Sequence, residues 1–144
     1  MKKHKSVHHQ SGVLPYKNIN GTLHVLLITT SSQKKWIIPK GNIEKNLTPP
    51  ASALKEAEEE AGLKGIVTGE SIGSYHFKKK SSGRKCKVEV FPMKVEQEIE
   101  NFEEQDKRER CWCTIEEAVD KISNKELKEI IENAAVIIGS SIKK

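Results

Sequence analysis

Residues 41–63 read GNIEKNLTPPASALKEAEEEAGL. Punctuation at both ends marks a helix inside this stretch. Thr48 suits the N-cap, Pro49 the first helical position and Gly62 the C-terminal stop. At about 100° per residue, Ala53, Leu54, Ala57 and Ala61 fall on one narrow stripe of mostly small side chains. Such a stripe lets a helix approach a sheet closely. Glu56, Glu59 and Glu60 form a second cluster beside it at i, i+3, i+4 spacing, while Glu58 points away toward solvent. Adjacent like charges on an exposed helix repel by roughly 0.2–0.5 kcal/mol per pair. Two readings therefore stand: a charged, solvated helix face, or a set of oxygen ligands for a hard divalent ion such as Mg²⁺.

Outward from the helix, the chain alternates strand and turn signals. Val13–Tyr16 reads as a short strand and 18–21 as a turn. Leu23–Thr30 lacks polar alternation, which predicts a strand buried on both faces. Trp36-Ile37-Ile38 is a short apolar segment closed by Pro39-Lys40-Gly41. Downstream, 66–77 holds one or two strands, Ser81-Ser82-Gly83 a hairpin turn, and Lys85–Val95 a further strand. An acidic loop is expected over 96–106 and a strand over 108–113. Thr114-Ile115-Glu116-Glu117 is a capping box that opens a short helix. A final helix from Asn124 to Ile138 puts Leu127, Ile130, Ile131 and Ala134 on one face. This order predicts an α/β (α+β) fold, a mixed sheet with helices packed on its faces.

The 144 residues suit one domain, expected over 11–140 behind a flexible basic tail at 1–10. The net charge of +5 invites a nucleic-acid reading. It resides in Lys2, Lys3, Lys5, Lys143 and Lys144, however, and the body without them is neutral. That neutral body is segregated. Lys78, Lys79, Lys80, Arg84, Lys85 and Lys87 share one stretch with no acid. Residues 96–106 carry six acids, Glu103 and Glu104 among them, with no base. Each block reads either as a solvated loop or as one side of a site where metal faces polyphosphate. No apolar run approaches bilayer length, and no apolar stretch follows the basic N-terminus as in a secretory signal. Cys86, Cys111 and Cys113 are odd in number and lack zinc or redox spacing, so three reduced thiols and a cytoplasmic location are expected.

The 41–63 stretch resembles the Nudix box, with Gly41, Glu56, Ala57, Glu59, Glu60, Gly62 and Leu63 in register. The box's first glutamate is replaced by Leu47 and its arginine by Lys55. In the family those two side chains help hold the loop and glutamates in place, and Lys lacks the planar fork of Arg. Trp36–Gly41, Tyr75, the Val88–Phe91 run and the Arg108–Trp112 segment are similar to the branch of diphosphoinositol-polyphosphate and diadenosine-polyphosphate hydrolases.

The resemblance implies an α/β/α sandwich and metal-dependent hydrolysis of a pyrophosphate bond in a nucleoside diphosphate derivative. The substrate would be a dinucleoside polyphosphate or diphosphoinositol-type compound. Gly41, Glu56, Glu59 and Glu60 would hold Mg²⁺ or Mn²⁺, with Glu59, Glu60 and Glu104 as catalytic carboxylates. Lys40, Lys55, Lys78, Arg84, Arg108 and Arg110 are the candidate substrate contacts. The partner would be a small polyphosphate, with RNA as a further candidate through its 5′ end or the basic tails, and no membrane. Leu47 and Lys55 motivate a second reading, a nucleotide- or RNA-binding domain with weak or no catalysis.

Overall fold

The computed structural model describes residues 7–32 and 34–142, with side chains through residue 138. The terminal lysines that carry the net charge lie outside the described residues.

Strand β1 (His8–Ile19) turns at Asn20-Gly21 into β2 (Thr22–Thr29). Two short strands, β3 (Trp36–Ile37) and β4 (Lys40–Asn42), lead into α1 (Pro49–Ala61). Strands β5 (Leu63–Val67), β6 (Gly73–Lys78) and β7 (Lys85–Glu98) follow. The chain ends with β8 (Arg110–Thr114), α2 (Ile115–Lys121) and α3 (Lys125–Ile142). The sheet runs β3-β2-β1-β7-β5, with β4 on β1, β6 on β7 and β8 on β2. β1 and β7 are parallel and the other pairs antiparallel, so the sheet is mixed as expected.

Alternation along β2 feeds two cores. Val25 and Leu27 join Leu14, Val88 and Val90 beneath Ala118, Leu127, Ile131 and Ala134 of α2 and α3. Leu26 and Ile28 join Val13 and Met93 beneath Ala53, Ala57 and Ala61 of α1. The small-residue stripe is thus the sheet-facing edge of α1, and the architecture is a three-layer α/β/α sandwich. Among the described residues no helix is long and apolar enough to cross a membrane.

The helix punctuation acts locally, as the sequence predicts. Thr48 Oγ1 accepts from the Ala51 amide at 3.2 Å, and Gly62 takes the left-handed cap at φ +67°. Thr114 and Glu117 exchange both bonds of the capping box, at 2.9 and 3.2 Å.

Several boundaries need correction, among them the end of α3, which runs on to Ile142. His8, His9 and Gln10 belong to β1 rather than to a flexible tail, because they pair with Cys86, Lys87 and Val88 of β7. Their polar composition hid a strand whose stability comes from a distant partner. β7 runs on to Glu98, inside the expected acidic loop, because Gln97 and Glu98 pair with Lys64 and Leu63. The strand expected over 108–113 runs from Arg110 to Thr114, paired with β2.

Candidate active site

With its alanines on the sheet, α1 carries its glutamates along one flank. Glu60 is the deepest, at 8% exposure. Its Oε1 accepts the Lys40 amide at 3.0 Å and its Oε2 accepts Arg108 Nη2 at 3.3 Å. Burial pushes its carboxyl up to about 7, against the pull of Arg108. Glu56 stands within hydrogen-bonding reach of Glu60, and burial followed by repulsion from Glu59 and Glu104 raises it. Glu59 is raised by burial, then by Glu103. Glu58 is the outward residue, loosely paired with Lys64 at 4.0 Å. Gly41 on β4 lies so close that a Cβ there would overlap the Glu56 carboxyl group. A side chain there would have to push the Glu56 carboxyl group aside.

The acidic loop docks against the end of α1. The Ile99 amide donates to the Gly62 carbonyl at 2.7 Å and the Glu104 amide to the Glu59 carbonyl at 3.0 Å. A Cβ on Gly62 would run into the Phe102 ring. Glu104 thereby arrives beside the box glutamates, half-buried, with Arg108 Nε on its Oε1 at 2.7 Å.

Two candidate substrate contacts have other work. Arg108 braces the acids: it binds Glu104 and Glu60 and also donates to the Thr29 carbonyl at 3.0 Å, although it still lines the cleft. Arg110 donates to the Ala61 carbonyl at 2.6 Å and stacks 4.8 Å from the Phe102 ring centroid. It satisfies a free carbonyl at the end of α1 and is absent from the cleft lining. Lys55 is also absent from that lining and bonds Glu44 at 2.7 Å. Arg84 sits on the exposed β6–β7 hairpin and does not line the cleft either, although neighbouring Gly83 does.

The cleft itself has a volume of about 650 Å³. Lys35, Lys40, Lys78, Lys79, Lys80 and Arg108 supply its positive charge, and Glu60 stands in its wall. Burial lowers the Lys40 ammonium, and Arg108 and Lys79 add to that effect against the pull of Glu60. Its Nζ lies 4.2 Å from the Phe77 ring centroid. A recess of about 200 Å³ opens from the same residues and is walled by Trp36, Tyr75 and Phe77. Tyr75 is 2% exposed, and its hydroxyl has no hydrogen-bond partner among the described residues. Sequence reading singled out Lys40 and Lys78 but missed the Glu44–Lys55 ion pair and the unpartnered Tyr75 hydroxyl. Neither feature carries a spacing signal, since each owes its place to tertiary contact.

Among the described residues no three His, Cys, Asp or Glu side chains stand in finished metal-ligating geometry. Mg²⁺ does not require that, because it keeps several waters and takes one or two carboxylates directly. Mutually repelling carboxyls with raised pKa values, one of them packed directly against Gly41, fit a hard cation chemically.

The NUDIX domain description matches residues 8–134. Nudix hydrolase 13, mitochondrial, of Arabidopsis thaliana is 33% identical over 130 residues, covering 76% of this chain and 64% of the relative. Diphosphoinositol polyphosphate phosphohydrolase 3-alpha of Mus musculus is 34% identical over 98 residues, covering 66% of this chain and 57% of the relative. The chain thus spans under two thirds of the length of both. The crystal structure of C. elegans Ap4A hydrolase superimposes with a TM-score of 0.73 at 17% identity, over 92% of this chain and 99% of that one, which shows a shared fold. The 41–63 box, the sandwich that carries it and a family match across residues 8–134 make this chain a member of the Nudix domain family.

Proposed function

We propose that the chain is a divalent-metal-dependent pyrophosphohydrolase acting on a dinucleoside polyphosphate or diphosphoinositol-type compound. One observation carries this reading: Glu60 of the acidic helix lines the same cleft as six cationic side chains. Glu56, Glu59 and Glu60, with the Gly41 carbonyl, would hold Mg²⁺ or Mn²⁺. When bound, such an ion neutralises phosphate charge and lowers the pKa of an attacking water.

The chain's own residues supply the rest. Lys40 and the lysines of the β6–β7 hairpin hold the phosphates, and Arg108 keeps Glu60 and Glu104 in place. The water's proton passes to a carboxylate of the set Glu59, Glu60 and Glu104. Phosphoryl transfer of this kind depends on alignment and charge stabilisation more than on covalent catalysis.

Within the proposed class, the cleft favours the diphosphoinositol type. Six cations match a densely phosphorylated ring. The nearby aromatic faces are engaged by lysines, with Lys40 on Phe77 and Lys121 on Trp36 at 5.0 Å, which leaves less surface for a stacked base. The binding-module alternative rests on Leu47 and Lys55. The ion pair of Lys55 with Glu44 weighs against it, because the lysine still has a carboxylate partner from the loop.

Chromatographic analysis of the products formed with Mg²⁺ or Mn²⁺ tests the proposal across diphosphoinositols, dinucleoside polyphosphates, sugar nucleotides and 5′-triphosphate RNA. The expected result is fastest turnover on a diphosphoinositol. Metal-independent turnover, or none on any arm, contradicts it.

A further inference from the structure

Lys55 stands between two carboxylates. Its Nζ is 2.7 Å from Glu44 Oε2 and 3.8 Å from Glu59 Oε2, so one contact is a full hydrogen bond and the other is not. Glu44 is held independently of this pair. Its amide donates to Oγ of Ser52, a residue with 1% exposure, at 2.9 Å, and its carbonyl accepts the Leu47 amide at 3.0 Å. The Glu44 backbone is thus fixed to the first turns of α1, and its side chain reaches the lysine from there. The contact with Glu44 is also what raises the Lys55 ammonium most. Without Glu44, the lysine's nearest acid is Glu59, one helical turn further on.

We propose that Glu44 is a positioning residue for the metal site: it tethers the Lys55 ammonium and keeps it from closing onto Glu59. An ammonium bonded directly to Glu59 competes with a divalent cation for the same oxygens. Glu44 takes that hydrogen bond instead, on the solvent side of the helix. Both partners are substantially exposed, at 47% and 40% for Lys55 and Glu44, so the pair adds little to global stability. Its effect falls on ligand availability. The inference rests on the metal-dependent reading above and adds a residue outside the box glutamates to it.

A double-mutant cycle read by Mn²⁺ titration of the metal-free chain, followed by electron paramagnetic resonance, tests the tether. Glu44→Gln is expected to weaken Mn²⁺ binding about three- to tenfold in the wild-type background. In a Lys55→Met background the same change is expected to have less than about a twofold effect, since no ammonium remains to be tethered. A simple loss of negative charge near the ion gives the same factor in both backgrounds, and that result overturns the proposal. So does an unchanged affinity for Glu44→Gln in the wild-type background. Glu59→Gln separates the two levels. If it abolishes Mn²⁺ binding while Glu44→Gln does nothing, only the tether fails. If the wild-type chain binds no Mn²⁺, the metal reading fails and the tether with it.

Discussion

Gly41 and Glu56 share a space that a methyl group would fill. Gly41→Ala must therefore displace β4 or swing Glu56 out of the cluster. We expect at least about a tenfold loss of metal-dependent turnover with the circular dichroism spectrum unchanged. Tyr75 presents the opposite case, a buried hydroxyl with no hydrogen-bond partner among the described residues. An unsatisfied buried polar group costs about 1–3 kcal/mol. Tyr75→Phe should raise the melting temperature while raising KM, as a hydroxyl waiting for substrate requires. A stabilised variant with unchanged KM removes Tyr75 from the site. Glu60 sets a pH dependence. Its folded pKa of about 7 lies above its ordinary value of 4.5, so the fold disfavours the charged form. Its contribution to stability is fully present below 4.5 and is lost as pH rises through about 7. Glu56 and Glu59 act with the same sign. Thermal melts in EDTA should show the metal-free chain losing stability across that window, and Mg²⁺ should recover much of the loss by binding the charged form.

Among the elements, α1 is held at both ends by devices of different range. Its N-terminus is capped by Thr48, which is adjacent in sequence and readable there. Its C-terminal carbonyls are met by Ile99, Glu104 and Arg110, all from a distant loop and strand. Phe102, lying against Gly62 and under Arg110, pins that loop. Phe102→Ala should cost about 2 kcal/mol in denaturant unfolding. It should also lower turnover, because Glu104 then loses its fixed place beside Arg108. An unfolding cost with turnover intact places Glu104 outside the reaction. The same contrast explains what was legible in the sequence. Caps, turns and the glutamate cluster are set by neighbours within one or two helical turns, and they fall where the pattern puts them. On the strand expected over 108–113, Arg108 and Arg110 would share a face, and both read as candidate substrate contacts. Only the folded register, with Arg110 opposite Ile28 and Arg108 reaching Thr29, turns both toward α1. Glu44 carries no periodic signal at all, since its partner Lys55 is reached through the fold of the loop.

Across the whole molecule, the charge is arranged rather than merely summed. The surplus of +5 belongs to the ends, while the body sets a cationic hairpin and cleft against an acidic helix and loop. Residues 8–10 belong to the sheet, so an N-terminal truncation that spares the fold stops before His8. Removal of residues 1–6 and 143–144 should leave turnover within about twofold and keep its salt dependence, because the cleft supplies the relevant field. A chain that loses both has its phosphate contacts in the tails. A mixed sheet with helices on its faces was readable from the order of elements and from β2, whose continuous apolar run faces a core on each side. Substrate choice was not, because lysines from β4, the β6–β7 hairpin and the segment before β3 meet only in space. Whether the acidic helix and that cleft form one hydrolytic centre is decided by phosphate release from a diphosphoinositol polyphosphate, with and without Mg²⁺, by wild type and Glu59→Gln. A single hydrolytic centre gives Mg²⁺-dependent release that the variant slows about 100-fold or more. Equal rates in both proteins, or tight substrate binding with no product at any Mg²⁺ concentration, contradict it.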